Sequence, residues 1–146
     1  MAEGGPRVTG SPPRAACSQP VVDLEAEIRM VLTAANRLAC RRSVDLQMAV
    51  EPRLVAETDV AAFRACLREF VADAIGRAEG GVLVTAHKHG QRVDVDVLDD
   101  GSMRSNAFAA RTVPPGGIVN VSYQAGDGTA MRLSLPYPDD AQGMLK

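Results

Sequence analysis

From Asp23 the chain settles into a helical period. In DLEAEIRMVLTAANRLACR, the residues Leu24, Ile28, Leu32, Ala35 and Leu38–Ala39 recur at the spacing of one buried helix face. Asp23 stands where an N-cap belongs, and Glu25 and Glu27 follow in the first turn, where carboxylates suit the positive end of the helix dipole. The period then changes to two. VDLQMAVE, 44–51, alternates Val44, Leu46, Met48 and Val50, which predicts a half-buried strand ended by Pro52. Asp59 predicts the cap of a second helix, whose apolar face is Phe63, Leu67, Phe70, Val71, Ala74 and Ala78, with Gly80-Gly81 as its stop.

Alternation returns in GVLVTAHKHGQRVDVDVLDDG, read as a hairpin. Val82 and Val84 lie on one strand, Val93, Val95 and Val97 on the next, with Lys88-His89-Gly90-Gln91 as the turn. An irregular connection, RSNAFAARTVPPGG, leads to a last hairpin around Gly126-Asp127-Gly128. Residues 1–22, rich in Gly, Pro, Ser and Ala without a period, are expected to form a disordered leader, and 139–146 a short tail. The ordered domain is expected over 23–138. Helix, strand, helix and then strands predict an α+β fold: a two-layer sandwich in which helices cover one face of a mixed, mostly antiparallel sheet.

Composition narrows the function classes. Of 146 residues 46% are apolar, enough for a sizeable core, but only 3% are aromatic and Trp is absent, so aliphatic side chains must fill it. The formal charge of −2, with no basic run, gives no footprint for nucleic acid or an anionic membrane. Three cysteines without metal or redox spacing, and no apolar run of membrane-spanning length, lead to the expectation of a cytoplasmic protein.

Two places carry candidate chemistry. Glu69 and Asp73 share one face of the second helix, and Asp73 and Arg77 form an oppositely charged pair four residues apart. An ordinary solvated face accounts for Asp73 and Arg77. The functional reading is a general base, Glu69, beside a metal-binding carboxylate, Asp73. The second place is VDVDVLDDGSM, 93–103. Period two puts Asp99 in the inward phase of Val93, Val95 and Val97. An inward carboxylate needs a donor. That donor is either the backbone of the following turn or an amino group of a ligand. His87 and His89 flank Lys88 in the expected turn, with no partner at metal spacing.

Together these segments resemble the ATP-binding domain of histidine kinases and its superfamily, which includes gyrase, chaperones and anti-sigma-factor kinases and shares the Bergerat fold. LREFVADAIGRA is similar to the family's N-box helix, with Glu69 and Asp73 on its two polar positions. VLDDGSM resembles the Asp-x-Gly-x-Gly turn, matched by Asp99 and Gly101, and GDGTAMRLSLP resembles the closing hairpin, with Thr129 beside the adenine. The resemblance implies ATP or ADP with magnesium as cofactor. It implies Asp99 accepting the adenine amino group, Gly101 admitting the ring, Asp73 in place of the metal-holding Asn, Glu69 as catalytic base and Arg77 near the phosphates.

The departures are specific. Asp73 adds charge beside a triphosphate, Met103 replaces the last glycine of the turn, and RSNAFAARTVPP is too short for a lid and a phosphate-binding helix. Gly116-Gly117 looks like the start of the final hairpin, not a phosphate loop. No histidine precedes Asp23, so a phospho-accepting helical hairpin is not expected in cis. The expectation is a degenerate ATP-binding domain in signal transduction. It would bind adenine nucleotide weakly and a signalling protein (a kinase, response regulator or anti-sigma-type partner), but no nucleic acid or membrane. The alternative is an active anti-sigma-type serine kinase or an ATPase.

Overall fold

The computed structural model describes residues 19–102, 112–124 and 128–138. In chain order these form β1 (Val21–Asp23), α1 (Leu24–Arg41), β2 (Asp45–Val50), β3 (Val55–Glu57), α2 (Val60–Arg77), β4 (Gly81–His89), β5 (Arg92–Asp99), β6 (Ile118–Gln124) and β7 (Gly128–Pro136). Five strands make one sheet in the order β2-β4-β5-β7-β6. β2 and β4 run parallel, joined through α2, and the other neighbours are antiparallel. The α+β sandwich with a mixed, mostly antiparallel sheet is therefore present as expected.

Both helices begin at the carboxylates that the pattern picked out. Asp23 accepts from the Ala26 N–H at 3.4 Å and Asp59 from the Ala62 N–H at 3.0 Å, each with extended backbone. Leu24, Ile28, Val31, Leu32 and Ala39 bury one face of α1. Leu38 departs from the expectation: it is 37% exposed, because Ala39 takes the inward position in that turn. On α2 the buried set is Phe63, Cys66, Leu67, Phe70, Val71, Ala74 and Ile75. Burying each large apolar side chain contributes about 1.5–3 kcal/mol.

The sheet offers its inward phase to these helices. Val82, Val84 and Ala86 on β4, Val93, Val95 and Val97 on β5, and Met131, Leu133 and Leu135 on β7 are all buried. Register puts Val97 opposite both Val84 and Met131, and Asp99 opposite both Val82 and Thr129. Asp99 thus ends the buried row, as its phase predicts.

Three further details differ from the sequence reading. The β4–β5 turn holds only Gly90-Gln91, since His89 pairs with Arg92, and Gly90 has φ +63. α2 ends at Arg77, ahead of Gly80-Gly81, because the backbone N–H groups of 79–81 are gathered by Asp100 instead of continuing the helix. β1 begins in the last two residues of the expected leader and pairs antiparallel with β3. On the sheet face opposite the helices, Asp94 and Asp96 are also buried, held by Arg132. Its Nε donates to Asp96 at 2.7 Å, and Nη1 lies 3.7 Å from Asp94.

Gly116 and Gly117 enter the final hairpin as expected. The Gly117 N–H donates to the Pro114 carbonyl at 2.9 Å, and Gly116 has φ +79, the geometry of a turn with Pro115 at its second position. Residues 103–111, which hold Met103 and most of the short connection, the Gly126-Asp127 turn, most of the expected leader, and the tail fall outside the described residues.

Candidate functional site

The candidate residues converge where the C-terminal end of α2 meets the ends of β5 and β7. Arg77 is the centre. Its side chain is 9% exposed, and its Nε and Nη2 both donate to Asp99 Oδ2, at 3.2 and 2.7 Å. Nη1 donates to Asp73 one turn back on the same helix. The Asp99 side chain is completely buried. Its other oxygen, Oδ1, accepts from the Gly101 N–H at 3.0 Å. Of the two donors that sequence left open for Asp99, the following turn is present, and a third joins it: the Arg77 side chain, which the resemblance had placed near the phosphates.

Glycine is required at Gly101 for a reason inside the fold. A Cβ there would lie 2.2 Å from the Arg77 carbonyl oxygen and 3.1 Å from Asp99 Oδ1. Gly128, which sequence reasoning did not single out, is tighter. It has φ +93, and a Cβ would lie 1.8 Å from the Asp99 carbonyl oxygen. The only sequence signal for it was its place in a Gly-Asp-Gly turn.

Asp100, the second carboxylate of the pair, faces the other way. Its Oδ1 accepts from the N–H groups of Glu79, Gly80 and Gly81 at 2.9–3.2 Å. The Gly80 N–H above all, helped by Gly81 and Glu79 and opposed by burial, holds its carboxyl below the usual value. Ser102 is held next: its N–H donates to Glu79 at 3.2 Å, and its carbonyl accepts from the Tyr123 hydroxyl at 2.7 Å. The strand stops on two carboxylates because they fasten it to the helix end and to the turn that follows.

Thr129 sits opposite Asp99 on β7, 2% exposed, and its hydroxyl has no partner among the described residues. Glu69 lies half-buried one turn before Asp73. Its charge adds to burial, the larger cause, in pushing the Cys66 thiol up to about 12. His87 and His89 end β4, remote from this cluster in the register.

These groups decide whether an adenine nucleotide with magnesium fits. Asp99 has no exposed oxygen for an amino group, since both oxygens are engaged within the protein. Asp73 is engaged by Arg77, and among the described residues no group of three His, Cys, Asp or Glu could hold a metal ion. The orphaned Thr129 hydroxyl is the one group here that still asks for a ligand. The arrangement as it stands does not fit magnesium, and it fits adenine only once Arg77 leaves Asp99.

No protein-family model and no curated protein matches the chain. Solved structures do. The nucleotide-free catalytic domain of the histidine kinase ThkA superposes with a TM-score of 0.69 at 18% identity, over 81% of this chain and 96% of that domain. The Acinetobacter baumannii histidine kinase AdeS also gives 0.69, at 12% identity over 82% of this chain and 68% of that one. Full-length ShkA, solved in complex with AMPPNP, gives 0.69 at 26% identity, over 81% of this chain and 31% of that one. The chain therefore has the fold of the histidine kinase catalytic, ATP-binding domain.

Proposed function

We propose that this histidine-kinase-type domain is degenerate at its nucleotide site and works in signal transduction by binding a signalling protein, a kinase or response regulator, with at most weak affinity for adenine nucleotide. The observation that carries this reading is the Arg77–Asp99 ion pair. A guanidinium stands where the resemblance asks the carboxylate to receive an adenine amino group. The same guanidinium takes Asp73, the one candidate for the metal. Phosphoryl transfer rests on positioning and on stabilising charge at the phosphates. A carboxylate already neutralised from within the fold offers neither. The reading leaves Glu69 as a helix-surface charge without a reaction to serve.

The second reading, a working ATP-dependent serine kinase or ATPase, draws on Thr129. A buried hydroxyl without a partner, directly across from Asp99, is what an adenine-adjacent threonine would look like before ligand arrives. In that reading Arg77 swings toward the phosphates, Asp99 reads the amino group, and Glu69 acts as base.

Calorimetric titration with ATP, ADP and adenosine, each with and without magnesium, separates the two. The expected result is weak or absent binding that ignores magnesium, and a gain of roughly tenfold or more in adenosine affinity for Arg77→Gln, which removes the internal competitor. Saturable binding by the unaltered chain that tightens with magnesium and with each phosphate would overturn the first reading and establish the second.

A further inference from the structure

The sheet has an edge at β2, whose only neighbour among the described residues is β4. The N–H of Asp45 donates to Gly80 and that of Glu51 to Ala86, so the odd positions of this strand face β4. The N–H and C=O groups of Leu46 and Met48 consequently point away from the sheet. Asp45–Val50 holds no proline, bulge or lysine to blunt the edge, and its one charge, Asp45, lies at its first residue.

Beside this edge runs the outer face of α1. Ala26, Met30 and Ala34 are exposed there, Met30 at 50%, at four-residue spacing. A concavity of about 300 Å³ lies between helix and strand, lined by Arg29, Leu32, Thr33, Asn36, Leu46 and Met48. A second, of about 590 Å³, continues over Met30 and Ala34. The open strand and the exposed helix stripe form one surface.

We infer that this surface is covered by a second copy of the same chain, related by a two-fold axis normal to the sheet. Three features of the surface complement themselves under that operation. First, antiparallel pairing centred on Gln47 sets Leu46 against Met48 of the other copy, twice, with their outward N–H and C=O groups exchanging bonds. No charge meets a like charge in that register: Asp45 falls opposite Ala49. Centring one residue later would oppose Asp45 to Glu51, so charge selects between the two registers. Second, the axis that makes the strands antiparallel makes the two α1 helices antiparallel. The small, apolar Ala26–Met30–Ala34 stripe then packs on itself. Third, α1 is acidic at its start, with Asp23 and Glu25, and basic at its end, with Arg37 and Arg41, so antiparallel helices bring opposite charges and opposite dipole ends together. An extended peptide from another protein would satisfy the strand edge but would leave the helix stripe uncovered. Neither Arg77 nor Asp99 takes part in this pairing, although Asp45 and Gln47 also line a concavity that reaches Asp99, so the inference does not depend on the nucleotide reading.

The test is sedimentation of the full chain over a range of concentrations, paired with hydrogen exchange. A species of twice the 15.4 kDa chain mass is expected. Gln47→Lys sets two lysines face to face on the axis, and Met30→Lys charges the stripe. Both positions tolerate charge in a single chain, and each should weaken association by roughly tenfold or more. Ile118→Lys, on the opposite edge strand, should leave it unchanged. In the unaltered protein the Leu46 and Met48 amides should gain protection as concentration rises. A monomer at every concentration would overturn the inference, as would a dimer broken by Ile118→Lys and not by the other two. So would a dimer whose Leu46 and Met48 amides exchange as freely as in the dilute protein.

Discussion

Arg77 and Asp99 are 22 residues apart in sequence, yet one oxygen of the buried aspartate accepts both Nε and Nη2 of the arginine. The pair joins the last turn of α2 to the last residue of β5. In the function proposed above, it occupies the place where adenine would be received.

Breaking this pair from one side strands a buried charge. Arg77→Met should lower the unfolding free energy by about 3–5 kcal/mol. Adding Asp99→Asn, which keeps the acceptor for the Gly101 N–H, should recover a good part of that loss. Urea unfolding of the two single variants and the double variant reads the coupling. Strict additivity would mean the two groups do not stabilise each other.

Gly101→Ala forces a methyl group against the Arg77 carbonyl, backbone against backbone, and should destabilise by about 1–3 kcal/mol. Gly128→Ala meets the Asp99 carbonyl and adds the left-handed penalty of about 1–2 kcal/mol, so it should be the worse of the two. Thermal unfolding ranks them, and the reverse order would contradict the close approach at Gly128.

Asp100 makes stability depend on acid. Its carboxyl is held below the ordinary value of 3.8 by the N–H groups of Gly80, Gly81 and Glu79, so the charged form belongs to the folded state. The contribution is complete above pH 3.8 and drains away as the pH falls through the lower, folded value. Asp100→Asn should therefore be less stable than the parent near neutrality, and the gap should narrow in acid. A gap that stays constant through the acid range would rule this out.

Cys66 is fully buried with its thiol pushed up to about 12, whereas Cys40 is exposed. Alkylation at mildly alkaline pH should label Cys40 in the folded protein and reach Cys66 only on unfolding. Mass spectrometry of the labelled peptides reads this, and equal labelling rates would show that the α2 core opens readily.

Much of the scaffold was legible along the chain, because caps and periods are local. Asp23 and Asp59 start their helices where the pattern put them, and Asp99 closes the buried row of β5. The short strands β1 and β3 were not legible, since three residues carry no period, and β1 lay inside a stretch whose composition reads as a leader. Leu38 was misplaced because two adjacent apolar residues at a helix end fit either phase. Asp94 and Asp96 lie on the sheet face opposite the helices and are nonetheless buried. Their burial depends on Arg132, which reaches them from β7.

By itself the sequence determined the helices, the inward phase of Asp99 and the Asp73–Arg77 pair. Each of these follows from spacing within a few residues. Only the tertiary structure decided what Asp99 bonds to. The helix end and the strand end are brought together by packing of the α2 and β5 apolar faces, and the donor that reaches Asp99 first is set by that packing. The same cause makes Gly128 indispensable and turns Arg77 from a helix-surface charge into the buried partner of Asp99.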